Sequence, residues 1–158
     1  MQIHARRGRR AVFRRRLRSS GRVTRMTRHD AITLLYIDDS DADIELLRAL
    51  LGQRDIGVDA ARTGLGGISA YDPVRHAAVA IDWNLCDMDG IEVAKTLRDY
   101  YPRCKLAFIS GRFEEHHVSA AAALGIADCF EKKMSLEHVQ RICSFVRGSA
   151  DIDARQAV

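Results

Sequence analysis

Three aspartates, a serine and a lysine stand where they could handle phosphate. Asp38-Asp39 closes one short apolar run, Asp82 a second, Ser110 a third and Lys132 a fourth. Carboxylates converging in one crevice repel one another unless a cation sits among them. Hard oxygen ligands of this kind suit Mg²⁺, which usually keeps several of its waters. A lysine and a hydroxyl facing the same cation can take up phosphoryl oxygens. The chemistry this group supports is acceptance of a phosphoryl group by a carboxylate. Taken singly, each residue has a plainer reading. Asp-Asp after a strand commonly caps a helix, Ser-Gly is commonly a loop, and a lone lysine is a solvated charge. The joint pattern points to a site.

The elements that would gather these residues form an alternation. Residues 32–37 are an apolar, β-rich run suited to a strand buried on both faces of a parallel sheet. Ser40 or Asp41 can cap a helix whose Ile44, Leu47 and Leu51 share a face, with Gly52 and Asp55 ending it. Residues 56–61 make a second, weaker strand. Gly64, Gly66 and Gly67 open a poor helix, and Gly-x-Gly-Gly lacks the full dinucleotide fingerprint. Residues 77–81 form a third strand running into Asp82, followed by a polar loop over 84–90. Ile91, Ala94, Leu97 and Tyr101 make a helix face that Pro102 ends. Residues 105–109 are the fourth strand. Residues 114–124 are an Ala-rich helix stopped by Gly125, and 126–131 are the fifth strand. Ser135 caps a last helix with Val139, Ile142, Cys143 and Val146 at i, i+3, i+4, i+7. Five strands alternating with five helices imply an α/β fold, a doubly wound parallel sheet with helices on both faces. Such a sheet binds ligands outside the carboxyl ends of its strands, where these residues fall.

A chain of 158 residues, 47% hydrophobic and 29% charged, has room for one packed domain. Its apolar runs fall far short of the roughly 20 residues a bilayer requires. The net charge of +4 hides an asymmetry. Residues 1–28 carry eleven arginines and no acid, an arm of +11; the rest, with 14 Lys and Arg against 21 acids, is −7. The arm is expected to be disordered. Three readings of it stand open: a segment that binds nucleic acid or anionic lipid, an organelle transit peptide, or upstream translation of a chain starting at Met26. The expected layout is this arm, one domain over 29–147 and a short tail over 148–158, too short to fold into an output domain. Cys86, Cys104, Cys129 and Cys143 lack Cys-x-x-Cys spacing. They read as free thiols of a reducing, cytoplasmic compartment.

Four motifs carry a family resemblance. They are Leu35-Tyr36-Ile37-Asp38-Asp39-Ser40, Ile81-Asp82-Trp83-Asn84-Leu85-Cys86-Asp87-Met88-Asp89-Gly90, Phe108-Ile109-Ser110-Gly111, and Gly125-Ile126-Ala127-Asp128-Cys129-Phe130-Glu131-Lys132. In order and spacing, residues 31–147 resemble the receiver domain of bacterial two-component response regulators, of the single-domain, chemotaxis-receiver-like kind. The resemblance implies the flavodoxin-like receiver fold. It implies Asp82 as phosphoacceptor and Asp38 and Asp39 as the acidic pair holding Mg²⁺, directly or through water, with the Asn84 carbonyl as a further ligand. Ser110 would grip the phosphoryl group and relay activation, and Lys132 would pair with its oxygens. The donor would be a phosphohistidine on a sensor histidine kinase or a histidine phosphotransfer protein. The protein would then signal by docking to a downstream partner, whose identity the sequence does not give, or by passing phosphate on. It would be no conventional enzyme, catalysing only its own phosphorylation and dephosphorylation. In the family the partner face often includes the fourth helix, fifth strand and fifth helix, near His116, His117, His138 and Arg141.

Three residues depart from the family pattern. Cys86 replaces a proline of the phosphoacceptor loop, which predicts a less rigid loop. Cys129 replaces an aromatic switch residue, which argues against a Ser-to-ring relay. Lys133 replaces a proline that tends to follow a cis bond, and a non-proline cis bond costs about 3 kcal/mol. Two other functions compete. One is a receiver whose basic arm binds nucleic acid. The other is a haloacid-dehalogenase-type phosphatase, for which Asp39-Ser40-Asp41 supplies half the motif and Ile44 lies too far on to complete it.

Overall fold

The computed structural model describes residues 32–156. The basic arm, and the nucleic-acid and lipid readings attached to it, lie outside the described residues. The strands are β1 (Ile32–Ile37), β2 (Ile56–Ala61), β3 (His76–Asp82), β4 (Leu106–Ser110) and β5 (Cys129–Glu131). The helices are α1 (Asp41–Gly52), α2 (Gly64–Ala70), α3 (Gly90–Tyr100), α4 (Glu115–Ala123) and α5 (Leu136–Gln156). All strand pairs are parallel, in the order β2-β1-β3-β4-β5. This is the doubly wound α/β sheet with five helices that the alternation implies.

The strand sequences divide the core by parity, because successive side chains point to opposite faces. Leu34, Tyr36, Ala78, Ala80, Ala107, Ile109 and Phe130 pack on one face with α1 and α5. Leu35, Ile37, Val79, Ile81, Leu106 and Phe108 pack on the other, with α3 and the end of α4. Ile44, Leu47 and Leu51 of α1 are buried on the first face. So are Val139, Ile142, Cys143 and Val146 of α5. The glycine-rich α2 is a close-packing device. A Cβ at Gly67 would sit 2.2 Å from Ile37 Cδ1, so a larger residue there would force the buried Ile37 side chain to shift.

β3, β4 and α4 shift from the sequence expectation by one residue at their ends, and two boundaries differ by more. β5 begins at Cys129, not at 126. Gly125 adopts φ +70°, and the Ile126 amide donates to Ala121 O at 3.0 Å, so this stretch closes α4 before the strand starts. At the other end, α5 runs on through 148–156 to Gln156, where a short tail was expected. No helix among the described residues is long and apolar enough to cross a membrane.

Candidate functional site

Parallel register aligns the strand ends. Ile37 lies opposite Ile81, Asp82 opposite Ile109, and Ser110 opposite Glu131. Asp38, Asp82, Ser110 and Lys132 therefore meet at one edge of the sheet. The Lys132 amide donates to Ser110 O at 2.9 Å, which fixes the end of β5 against β4. Asp38, Asp82 and Ser110 are buried and Asp39 is exposed. One carboxylate oxygen from each of Asp38, Asp39 and Asp82 lies within 4.8 Å of the others. Carboxylates this close suit a hard divalent cation.

Lys132 Nζ reaches into the same crevice. It stands 2.7 Å from Asp38 Oδ2, 2.9 Å from Asp43 Oδ2 and 3.4 Å from Asp82 Oδ1. Lys133 points elsewhere and pairs with Glu131 at 2.6 Å near the surface. In this register of β5, Lys132 and not Lys133 enters the crevice. Phe130 packs on the α1 and α5 face beside Phe145, while Cys129 lies on the opposite face, partly buried. No cis peptide bond occurs among the described residues, so the bond before Lys133 is trans.

Asp38 is held on both oxygens. Oδ1 accepts from the Ser40 amide at 2.8 Å, and Oδ2 accepts from the Tyr36 hydroxyl as well as from Lys132. Burial, the hydrogen bond to Asp38 and the nearby carboxylates push the Tyr36 phenol far above its ordinary range, so it is a permanent donor. Burial also works against the Lys132 charge. Hydrogen bonds to Asp38 and Asp43 outweigh it and hold the ammonium above the ordinary lysine range.

The sequence reading gives neither Tyr36 nor Asp43 a place in the site. The signal for Tyr36 was its parity: two residues before Asp38, it shares that residue's face. Asp43 gave no comparable signal, since an acid in the first turn of a helix is ordinarily read as support for the helix dipole.

The loop after β3, which has cysteine and not proline at 86, is fastened by hydrogen bonds. Asn84 and Asp89 form an antiparallel bridge, and the Gly90 amide donates to Trp83 O at 2.8 Å. The Asp87 carboxylate accepts from the Gly64 amide at 2.8 Å and the Leu65 amide at 3.0 Å, capping α2. These amides hold the Asp87 pKa below the ordinary carboxylate value. The softer loop expected from Cys86 is therefore tied down by a neighbour. Trp83 is buried against Phe108 at 4.7 Å, and the ring of His117 on α4 lies 4.5 Å from it. His116 is exposed, His138 is half-buried, and the Arg141 guanidinium lies 5.3 Å from the centre of the Phe130 ring.

Burial pushes the Asp82 carboxyl up to about 6, Asp38 adds to the rise, and Lys132 opposes it. Unfolded, the same group titrates near 3.9. A carboxyl whose folded pKa is raised contributes stability that is complete below the unfolded pKa and is lost as pH rises through the folded one. In metal-free protein, Asp82→Asn is therefore expected to raise stability by about 1–2 kcal/mol near pH 8, with the gain vanishing near pH 4. Urea unfolding at the two pH values checks this. An equal gain at both would show that charge burial is not its source.

The description "response regulator receiver domain" is that of a family model matching residues 34–143, and the chain belongs to this family. It is 26% identical over 109 residues to the chemotaxis protein CheY of Listeria monocytogenes, a match covering 68% of this chain and 92% of that protein. It is 29% identical over 73 residues to the aerobic respiration control sensor protein ArcB of Escherichia coli, covering 46% of this chain and 9% of ArcB. The chain thus spans only a small part of that sensor's length. Among solved structures, the non-phosphorylated HemR receiver domain of Leptospira biflexa superposes with a TM-score of 0.67 at 22% identity, covering 73% of this chain and 94% of that one. Residues 34–143 thus form a receiver domain of two-component systems with the CheY-like fold.

Proposed function

We propose that this receiver takes a phosphoryl group onto Asp82 and signals by docking or by passing the group on. The observation that carries the reading is the Lys132 ammonium standing 3.4 Å from Asp82 Oδ1, beside the clustered oxygens of Asp38, Asp39 and Asp82. With its carboxyl at about 6, Asp82 is mostly ionised at neutral pH and can attack. Its oxygen forms a bond to the phosphorus of a phosphohistidine on a sensor kinase or phosphotransfer protein. The phosphorus–nitrogen bond breaks, and the imidazole leaves with the bonding pair. Lys132 and the Ser110 hydroxyl take phosphoryl oxygens. Asp38, Asp39, Asp82 and the Asn84 carbonyl would hold Mg²⁺, which neutralises charge gathering on the transferred group. Attack by water on the phosphorus reverses the state, releasing inorganic phosphate and the free carboxylate. The free cysteines, exposed and buried alike, accord with a cytoplasmic setting.

Acetyl phosphate with Mg²⁺ is expected to load one phosphoryl group per chain, and chelation by EDTA to prevent it. Steady turnover of a phosphomonoester would favour the phosphatase reading instead. Lys132→Ala is expected to lose most of the NMR response to beryllofluoride, a phosphoryl mimic, while Lys133→Ala keeps it, since only Lys132 enters the crevice. The reverse pattern would contradict the assignment.

A further inference from the structure

We propose that Asp43 is a positioning residue that holds the Lys132 ammonium in the resting state and competes with the phosphoryl group for it. The proposal rests on the reading of Asp82 as phosphoacceptor. An ammonium has three donors, and three carboxylates surround this one. Asp38 at 2.7 Å and Asp43 at 2.9 Å lie within the usual range of a charge-assisted hydrogen bond, and Asp82 at 3.4 Å lies beyond it. The lysine therefore leans away from the residue it is to serve.

Asp43 is built into that place. Its amide donates to the Ser40 hydroxyl at 3.3 Å in the first turn of α1, and the next residue, Ile44, is buried in the core. Its carboxylate lies outside the cluster of Asp38, Asp39 and Asp82 that suits a cation, so its partner is the lysine. A phosphoryl group on Asp82 must draw the ammonium out of this hold. Every increment of attraction to Asp43 is subtracted from attraction to the phosphoryl oxygens. Asp43 thereby biases the receiver toward its unphosphorylated form.

Beryllofluoride binding in Mg²⁺, followed by the fluorescence of the single tryptophan, Trp83, reads the competition. Asp43→Asn is expected to bind about threefold to tenfold tighter than the parent, and Asp43→Glu to restore the parent value. In a Lys132→Ala background, whose weakened binding is titrated at higher beryllofluoride concentration, Asp43→Asn is expected to change nothing. An equal gain in that background would mean that Asp43 merely repels the anion, and no gain in the parent would mean that it holds nothing; either overturns the proposal. The ammonium resonance of Lys132, measured in EDTA without any phosphoryl mimic, reads the hold itself. It is expected to be protected from exchange in the parent and exposed in Asp43→Asn. Unchanged protection overturns the hold. A parent that never responds to beryllofluoride overturns the phosphoacceptor reading and the competition with it, while the ammonium signal still decides whether Asp43 holds the lysine.

Discussion

Asp82→Asn is expected to abolish the Mg²⁺-dependent gain of one phosphoryl group from acetyl phosphate, read by intact mass. The amide is nearly the same size and keeps the strand end filled, but it lacks a nucleophilic carboxylate oxygen. Asp38 cannot stand in, because Ser40, Tyr36 and Lys132 occupy its two oxygens in a fully buried position. Asp39 is exposed and free of those bonds, so it is the residue to examine should labelling persist. Labelling of the variant equal to that of the parent would falsify the assignment of the acceptor.

Gly90→Ala is expected to lower stability by about 3 kcal/mol and to slow phosphorylation, although no reacting group changes. The added Cβ would lie 2.2 Å from Asp82 O and 3.1 Å from both Asp82 C and Trp83 Cα. These are backbone atoms, which cannot swing aside as a side chain would. Two of them belong to Asp82, the proposed acceptor, and the third to the residue that follows it. Relief requires the loop after β3 to move, and the Gly90 amide bond to Trp83 O goes with it. Gly52→Ala is the matched control, since nothing lies within 4 Å of a Cβ there. Urea unfolding of both variants measures the difference. Equal stability would show that the contact at Gly90 relaxes at no cost.

The strands were legible because burial on both faces demands runs of apolar residues, as in β1 and at Ala78–Ile81 of β3. Helix α5 was legible where its spacing is regular, at Val139, Ile142, Cys143 and Val146. The end of β4, the start of β5 and the end of α5 were less so. They depend on which amide finds which carbonyl, and composition does not encode that. Ile126 is apolar and β-prone, yet its amide serves the end of α4. Within the site, Asp38, Asp82, Ser110 and Lys132 could be read from their place at strand ends. Asp43 could not. It reaches the lysine across 89 positions of sequence, through the packing of α1 beside the sheet.

The bond pair from Asp87 to the first amides of α2 has a mechanical consequence. A proline stiffens a loop within itself, and the rest of the molecule has no part in that stiffness. Here the loop borrows its stiffness from a helix, so the two are one lever with two handles. Whatever grasps the outer face of α2 pulls on the residues that follow Asp82. By thermodynamic reciprocity, a change at Asp82 that reshapes this loop alters the grip of that partner by the same factor.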